Sequence, residues 1–271
     1  MTRRNPYIQA PVVFLHGTAA SPRQWRDLIG HLPQAIETLA LDLPDYVAHE
    51  VRSVHRSLSQ EAQILLPRLR RLGRPFHLVG HSYGGALALR FAMQWPDIVR
   101  SLTVIEPVMF HLLRDGHPDE RQMHGDIAGL VDDLTHAEEA GTPALGAARF
   151  VDFWNGPGTF AAYGPEAQAK LTARLSLILA NFATLHQENW PVADCTRVAA
   201  PTLGVFGENS PPFIQHLTRI IAGKMPNAKV LSIVAAGHML PVTHPEEVAK
   251  HLNAHIIAAE AHAFSSRHSA A

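Results

Sequence analysis

The sequence predicts an α/β fold, a mostly parallel, doubly wound sheet with an inserted helical cap. Three observations carry that prediction. Short apolar runs alternate with amphipathic helical patterns from Val12 to Ile105 and again from Pro201 onwards. One run ends in Gly80-x-Ser82-x-Gly84 and passes directly into a small-residue helical pattern. Between the two regular regions the chain stays helical in pattern but is rich in Gly, Pro and aromatics. Strands and helices alternating at these lengths favour parallel strands joined by crossover helices. The expected division is a core of residues 1–107 and 200–271 and a cap of residues 108–199.

Val12-Val13-Phe14-Leu15 reads as a buried strand that ends at His16-Gly17-Thr18-Ala19-Ala20. Ser21 is the expected N-cap of the next helix, with Pro22 in its first turn and Gln24 placed as a capping-box partner. Trp25, Leu28, Ile29 and Leu32 form its apolar stripe. Ile36 to Leu41 is a second strand, ending at Asp42-Leu43-Pro44-Asp45. Ser57 to Leu72 repeats apolar residues at helical spacing, with Gly73 as its stop and Pro67 as an expected kink or break. Phe76 to Val79 is the third strand. The helix after Ser82 carries Ala88, Phe91, Ala92 and Trp95 and ends at Pro96. Leu102 to Ile105 is the fourth strand, with Glu106-Pro107 at its end.

The cap region holds Phe150, Phe153, Trp154, Phe160, Tyr163, Phe182 and Trp190. Pro201 to Phe206 then reads as a strand, and Phe213, Leu217, Ile220 and Ile221 as a helix. Val230 to Val234 is the last strand, running into Ala235-Ala236-Gly237-His238-Met239. A closing helix carries Val248, Leu252 and Ile256, and the chain from His262 to Ala271 is expected to fray.

Composition narrows the function classes. The chain has 271 residues, 46% hydrophobic and 17% charged, with a net charge of -1. That balance leaves no basic footprint for nucleic acid or an anionic membrane. Arg68, Arg70, Arg71 and Arg74 flank Leu69 and Leu72 and read as a solvated helix face. No run is long enough to span a bilayer, and no apolar signal segment follows the basic opening Met1 to Pro6. Cys195 is the only cysteine, so no disulfide forms within the chain, and a cytoplasmic setting is expected. Eighteen histidines invite a metal reading. His251 and His255 share a helix face without a third ligand, and no metal is expected.

A serine delivered by a strand to a sharp turn, with glycines on both sides, is what a nucleophile elbow requires. With His16-Gly17 after the first strand, Gly80-x-Ser82-x-Gly84-Gly85 at the turn and Gly237-His238 after the last strand, the chain resembles an α/β-hydrolase over nearly its whole length. The strands that usually open this family are short or missing here, since His16-Gly17 comes so early. The resemblance implies a serine nucleophile. It favours an ester-type hydrolase over the related dehalogenases and epoxide hydrolases, whose nucleophile is an Asp.

On that resemblance Ser82 is the nucleophile and His238 its base. The backbone amides of Tyr83 and Thr18 are the expected oxyanion donors. His16 is expected to brace the loop, and His81 and His77 to serve packing or the pocket. The base also needs a carboxylate on its other nitrogen. The family usually places an Asp in a Gly-x-x-Asp pattern after the strand ending at Phe206. This sequence reads Gly207-Glu208-Asn209-Ser210, and Ser210 before Pro211 looks like a helix N-cap. Three explanations stay open. Glu106 carries the charge, as in some dehalogenases and lactone hydrolases of the superfamily; Glu208 reaches across; or no acid exists and activity is reduced or lost. Glu106 is favoured, because a buried glutamate needs a partner and His238 is the best available.

Trp25, Met109, Phe110, Phe153, Trp154 and Met239 are the expected substrate contacts, with Leu112 and Leu113 helping to roof an apolar pocket. His111, His186 and Arg149 are candidates for polar recognition. The expected function is a cofactor-free hydrolase of a carboxylic ester or lactone, acting on a small molecule with an apolar portion, as a monomer or homodimer. Hydrolysis of a C–C or amide bond by the same residues, and a non-catalytic ligand receptor, are the alternatives.

Overall fold

The computed structural model describes residues 10–44 and 56–269. Asp45, the opening Met1 to Pro6 and the final Ala271 lie outside the described residues. Strands β1 (Val12–Leu15), β2 (Thr38–Leu41), β3 (Phe76–His81), β4 (Val99–Ile105), β5 (Thr202–Gly207) and β6 (Ala228–Ile233) form a six-stranded sheet in the order β2-β1-β3-β4-β5-β6. Every pairing is parallel. Leu15 lies opposite Gly80, His81 opposite Ile105, and Ile105 opposite Val205, so the strands end along one edge. Loops leaving that edge are the place where an open parallel sheet builds a site.

Alternation along the strands separates two cores. Val13, Leu15, Leu78, Leu102 and Val104 face one buried cluster, while Val12, Phe14, Val79, Ile105 and Val205 face the other. The first face is covered by α2 (Leu58–Arg70) and α3 (Tyr83–Gln94). Trp25, Leu28, Leu252 and Ile256 cover the second. Helices on both sides are what the expected doubly wound arrangement requires.

Three local expectations change. The segment after Ser21 begins as a 3-10 turn, Pro22–Trp25, before the short α1 (Arg26–Gly30), and Ser21 makes no side-chain cap. Pro67 does not split α2, which runs unbroken from Leu58 to Arg70. Pro67 is exposed one turn before the helix end, and the exposed Gln63 leaves the freed carbonyl within reach of water. The closing helix continues to Ser269 instead of fraying from His262, in keeping with the helix-favouring Ala258, Ala259, Ala261 and Ala263.

Between β4 and β5 the chain inserts α4 (Pro118–Glu139), α5 (Pro143–Asn155), α6 (Thr159–Ala162), α7 (Pro165–Thr172) and α8 (Leu175–Gln187). Proline opens α4, α5 and α7, where its missing N–H leaves no bond unmade. Ile127, Leu130, Trp154, Ile178 and Phe182 of this segment belong to the same buried cluster as Leu87 and Phe213 of the body. Polar ties add to that contact. Glu188, itself buried, accepts from the amide of the buried Leu58 at the start of α2, at 2.9 Å. Glu120 pairs with His216 at 2.6 Å.

Candidate active site

The site is built from chain reversals just past the strand ends. Among the described residues, the non-glycine residues with positive φ are Ala19 (57°), Ser82 (55°), Glu106 (48°) and Ala235 (59°). They follow β1, β3, β4 and β6. Backbone held in this region is strained for a residue with a side chain, and such strain persists only where the surroundings over-determine it. At Ser82 the surroundings are glycines. A Cβ on Gly80 would lie 2.2 Å from the Gly84 carbonyl oxygen, and one on Gly84 would lie 2.3 Å from that of Leu15. Only hydrogens let β3, α3 and the end of β1 come this close.

Ser82, His238 and Glu106 form one hydrogen-bonded line. The Nε2 of His238 is 3.2 Å from Ser82 Oγ, and its Nδ1 is 2.6 Å from Glu106 Oε2. With Nδ1–H donating to the carboxylate, Nε2 faces the serine as an acceptor. Glu106 is fully buried. Its other oxygen, Oε1, accepts from the Gly207 amide at 2.7 Å and from Ser210 Oγ at 2.5 Å. Three donors therefore converge on the carboxylate, which is how a buried charge is made tolerable.

Ser210, at the position where the resemblance called for an Asp, is not a helix N-cap. Pro211 holds that place for α9 (Pro212–Ala222), and the Ser210 hydroxyl turns inward to Glu106. Glu208 points elsewhere: it is exposed and accepts from Ser232 Oγ at 2.8 Å.

A second line of bonds supports the serine from the side. His81 is buried, with Nε2 2.8 Å from the carbonyl oxygen of His238 and Nδ1 3.1 Å from Gln24 Nε2. Burial, reinforced by the neighbouring His238, pushes the His81 imidazole well below its ordinary range, so it is neutral. Nε2–H then donates to the carbonyl, while Nδ1 accepts from the Gln24 amide. Gln24 Oε1 in turn accepts from the Gly17 N–H at 3.2 Å. Gln24 thus bridges two site loops and is not the partner of a capping box. His16 braces the same loop, with Nδ1 2.8 Å from the Gly17 carbonyl and Nε2 accepting from the Leu43 amide at 3.4 Å. Burial lowers its pKa to about 4, against the pull of the Gly17 bond and the Asp42 charge.

A cavity of about 120 Å³ opens beside Ser82, lined by Thr18, Gln24, His81, Trp154, Tyr163, His238 and Met239 among others. A smaller space of about 10 Å³ also touches Ser82 and is bounded by Thr18, Phe110, Phe150, Trp154 and Phe182. Trp154 stacks on the His238 ring, with centroids 4.0 Å apart and planes 23° apart. Of the expected substrate contacts, Phe110, Trp154 and Met239 line these spaces.

Trp25, Met109 and Phe153 do not appear in either lining. Trp25 is fully buried against Phe14 and meets the His81 ring edge-on at 6.5 Å. Met109 is likewise fully buried, and Phe153 lies against Phe213 at 5.7 Å. The polar candidates are also engaged elsewhere. His111 bonds the Trp190 carbonyl, His186 bonds that of Phe182, and Arg149 pairs with Asp133. Gln24, and the Ser210 contact with Glu106, were beyond sequence reasoning, since side-chain direction in a loop leaves no periodic signal. His251 bonds Glu247 one turn back on its own helix.

Comparison with known proteins bears on the family and the fold. The sequence profile of the Alpha/beta hydrolase family matches residues 12–251. A biotin biosynthesis bifunctional protein of Teredinibacter turnerae is 25% identical over 285 residues, covering 93% of this chain and 46% of that protein. A monoacylglycerol lipase of Bos taurus is 31% identical over 112 residues, covering 39% of this chain and 32% of the lipase. The matches thus span less than half the length of these curated relatives. Among solved structures, MenH from S. aureus superposes with a TM-score of 0.72 at 18% identity, covering 96% of this chain and 97% of that one. A thermophilic esterase from Thermogutta terrifontis gives 0.69 at 20% identity, covering 93% and 91%. At these identities the structural likeness is one of fold.

Proposed function

Because the chain belongs to the alpha/beta hydrolase family, we propose that it is a cofactor-free serine hydrolase that cleaves a carboxylic ester or lactone through an acyl-enzyme on Ser82. The observation that carries this reading is the line from Ser82 Oγ to His238 Nε2, at 3.2 Å, and from His238 Nδ1 to Glu106 Oε2, at 2.6 Å. In the proposed reaction Ser82 Oγ attacks the carbonyl carbon as His238 Nε2 takes its proton. Glu106 holds the imidazole in the tautomer that can accept that proton and stabilises the imidazolium that forms. The amide of Tyr83, the first residue of α3 and the residue directly after the nucleophile, receives the oxyanion together with the amide of Thr18. His238 then protonates the leaving oxygen. Water, deprotonated by the same histidine, attacks the acyl-enzyme and frees Ser82.

The inserted helices act as the cap in this reading. Trp154 shields His238, and Phe150, Val151, Trp154 and Leu171 give the cavity of about 120 Å³ beside Ser82 a largely apolar wall suited to a hydrocarbon portion. The ligand-receptor alternative drew its support from a serine in the usual acid slot. That serine donates to a carboxylate already bonded to His238, which leaves the alternative unsupported. The reading of a cytoplasmic protein rests on the single cysteine. Among the described residues no helix is long and apolar enough to cross a membrane.

Labelling with a fluorophosphonate probe, followed by a panel of activated esters, lactones, anilides and diketones, tests the proposal. The wild-type chain is expected to be labelled and to turn over an ester or lactone, and Ser82→Ala to do neither. Turnover confined to diketones or anilides would move the assignment to a C–C or amide hydrolase.

A further inference from the structure

The loop after β1 carries Thr18 between two anchors, and only one belongs to the body of the fold. On one side Gln24 accepts from the Gly17 amide. On the other, a terminal nitrogen of Arg174 donates to the carbonyl oxygen of Ala19 at 2.5 Å and to that of Ala20 at 3.2 Å. Arg174 lies between α7 and α8 in the inserted segment, at the N-cap of α8. None of the ion pairs among the described residues includes it. A guanidinium directed at neutral carbonyls in place of a carboxylate acts as a clamp on backbone geometry. The geometry needs one, because Ala19 holds a φ of 57° without being glycine.

We propose that Arg174 is a positioning residue for the oxyanion hole, acting from the cap by fixing the carbonyls of Ala19 and Ala20 and so the aim of the adjacent Thr18 amide. This inference rests on the reading of Thr18 as an oxyanion donor and goes beyond it by assigning the control of that donor to the inserted segment. An oxyanion donor contributes in proportion to how well it is aimed before the charge develops. Losing the clamp therefore weakens binding of the transition state more than binding of the ground-state ester. The same segment also places Trp154 against the His238 ring, 4.0 Å between centroids, so two residues of the insertion touch the reacting machinery or its support.

The test compares wild type, Arg174→Met, Arg174→Lys and the surface control Arg149→Met with a p-nitrophenyl ester, alongside amide hydrogen exchange of the segment containing Gly17 to Ala20. Arg174→Met is expected to lower kcat by about 10- to 100-fold with KM changed less than about threefold. Exchange at Thr18 to Ala20 should rise. Arg174→Lys, which keeps a donor for these carbonyls, should recover part of both effects, and Arg149→Met should leave both unchanged. A rise in KM alone with unaltered exchange would make Arg174 a substrate contact and overturn the proposal. So would unaltered kcat. A wild-type protein that neither turns over esters nor takes the fluorophosphonate would sink the serine-hydrolase reading and this proposal's catalytic half with it. Exchange would then decide whether Arg174 holds the loop. If Arg174→Met does not fold, Arg174→Gln takes its place: its shorter side chain cannot reach both carbonyls, and wild-type kcat and exchange in that variant would overturn the proposal.

Discussion

The carboxylate bonded to His238 belongs to Glu106 and not to position 210, where the resemblance called for an Asp. The carboxylate stands at the end of β4, at a strained backbone position, and the hydroxyl after β5 donates to it at 2.5 Å. Removing that hydroxyl leaves the Gly207 amide and His238 as donors, so Ser210→Ala should reduce kcat about tenfold. It should also lower stability by about 1.5–3 kcal/mol, the range for a hydrogen bond to a charged group. Steady-state kinetics and urea unfolding read the two effects. Replacing the carboxylate itself is more severe. Glu106→Gln should lower kcat by about 10³- to 10⁴-fold, because an amide can present its NH₂ to Nδ1 and favour the wrong tautomer. Glu208→Gln should stay near wild type, its carboxylate being exposed and bonded to Ser232. Catalysis that survives the first change and collapses with the second would return the acid to Glu208.

At the scale of elements, the decisive feature is how closely α3 approaches the end of β1. Gly84 meets the Leu15 and His16 carbonyl oxygens, which a Cβ would approach to 2.3 and 2.4 Å. Both obstacles are backbone, so Gly84→Ala must push α3 away from the sheet. Loss of several kcal/mol is expected, in the range of overpacked core changes or beyond, together with loss of activity. Gly125 is the opposite case. It sits inside α4, and a Cβ there meets nothing within 4 Å. Gly125→Ala should raise stability by about 0.5–1 kcal/mol through helix propensity and the entropy of the unfolded chain, with activity unchanged. Thermal unfolding of the two variants should move in opposite directions. Both elements were visible in the sequence, β3 from its apolar run and α3 from its small residues. The extent of α2 past Pro67 was not, since it depended on Pro67 and Gln63 facing solvent.

The molecule as a whole holds several histidines neutral in its interior. Burial lowers the pKa of His16, His111 and His255 to about 4, against an ordinary value of 6.5. Below about pH 6.5 the unfolded chain binds protons at these positions that the folded chain does not. Stability contributed by the neutral forms is therefore present above that pH and lost as the pH falls toward 4. Each group removes at most about 2 kcal/mol between pH 7.5 and 5. Glu260 extends the loss to lower pH. Burial opposes its ionisation, yet its bonds to His77 and the Ala10 amide hold it at about 2, so its contribution disappears between about 4.5 and 2. The urea midpoint should accordingly be clearly lower at pH 5 than at pH 7.5. An equal or higher midpoint at pH 5 would show that these histidines are protonated or accessible in the folded protein.

What the sequence determined by itself was whatever is written in neighbouring residues. Short apolar runs marked the six strands, because strands buried on both faces are apolar throughout, and a repeat every three to four positions marked the principal helices. The elbow was legible for the same reason: Gly80, Ser82 and Gly84 must be adjacent for the turn to close. The resemblance named His238 and favoured Glu106 as the partners of the serine, and the tertiary structure shows how they meet. His238 and Glu106 meet across 132 positions, and Ser210 reaches Glu106 across 104. Arg174 reaches Ala19 across 155. Such contacts depend on strand register and on loop φ values that no local pattern encodes. Ser82, His238 and Glu106 could be named by reading along the chain, while the Ser210 contact with Glu106 and the reach of Arg174 to the loop of Thr18 required the sheet to bring distant loops to one edge.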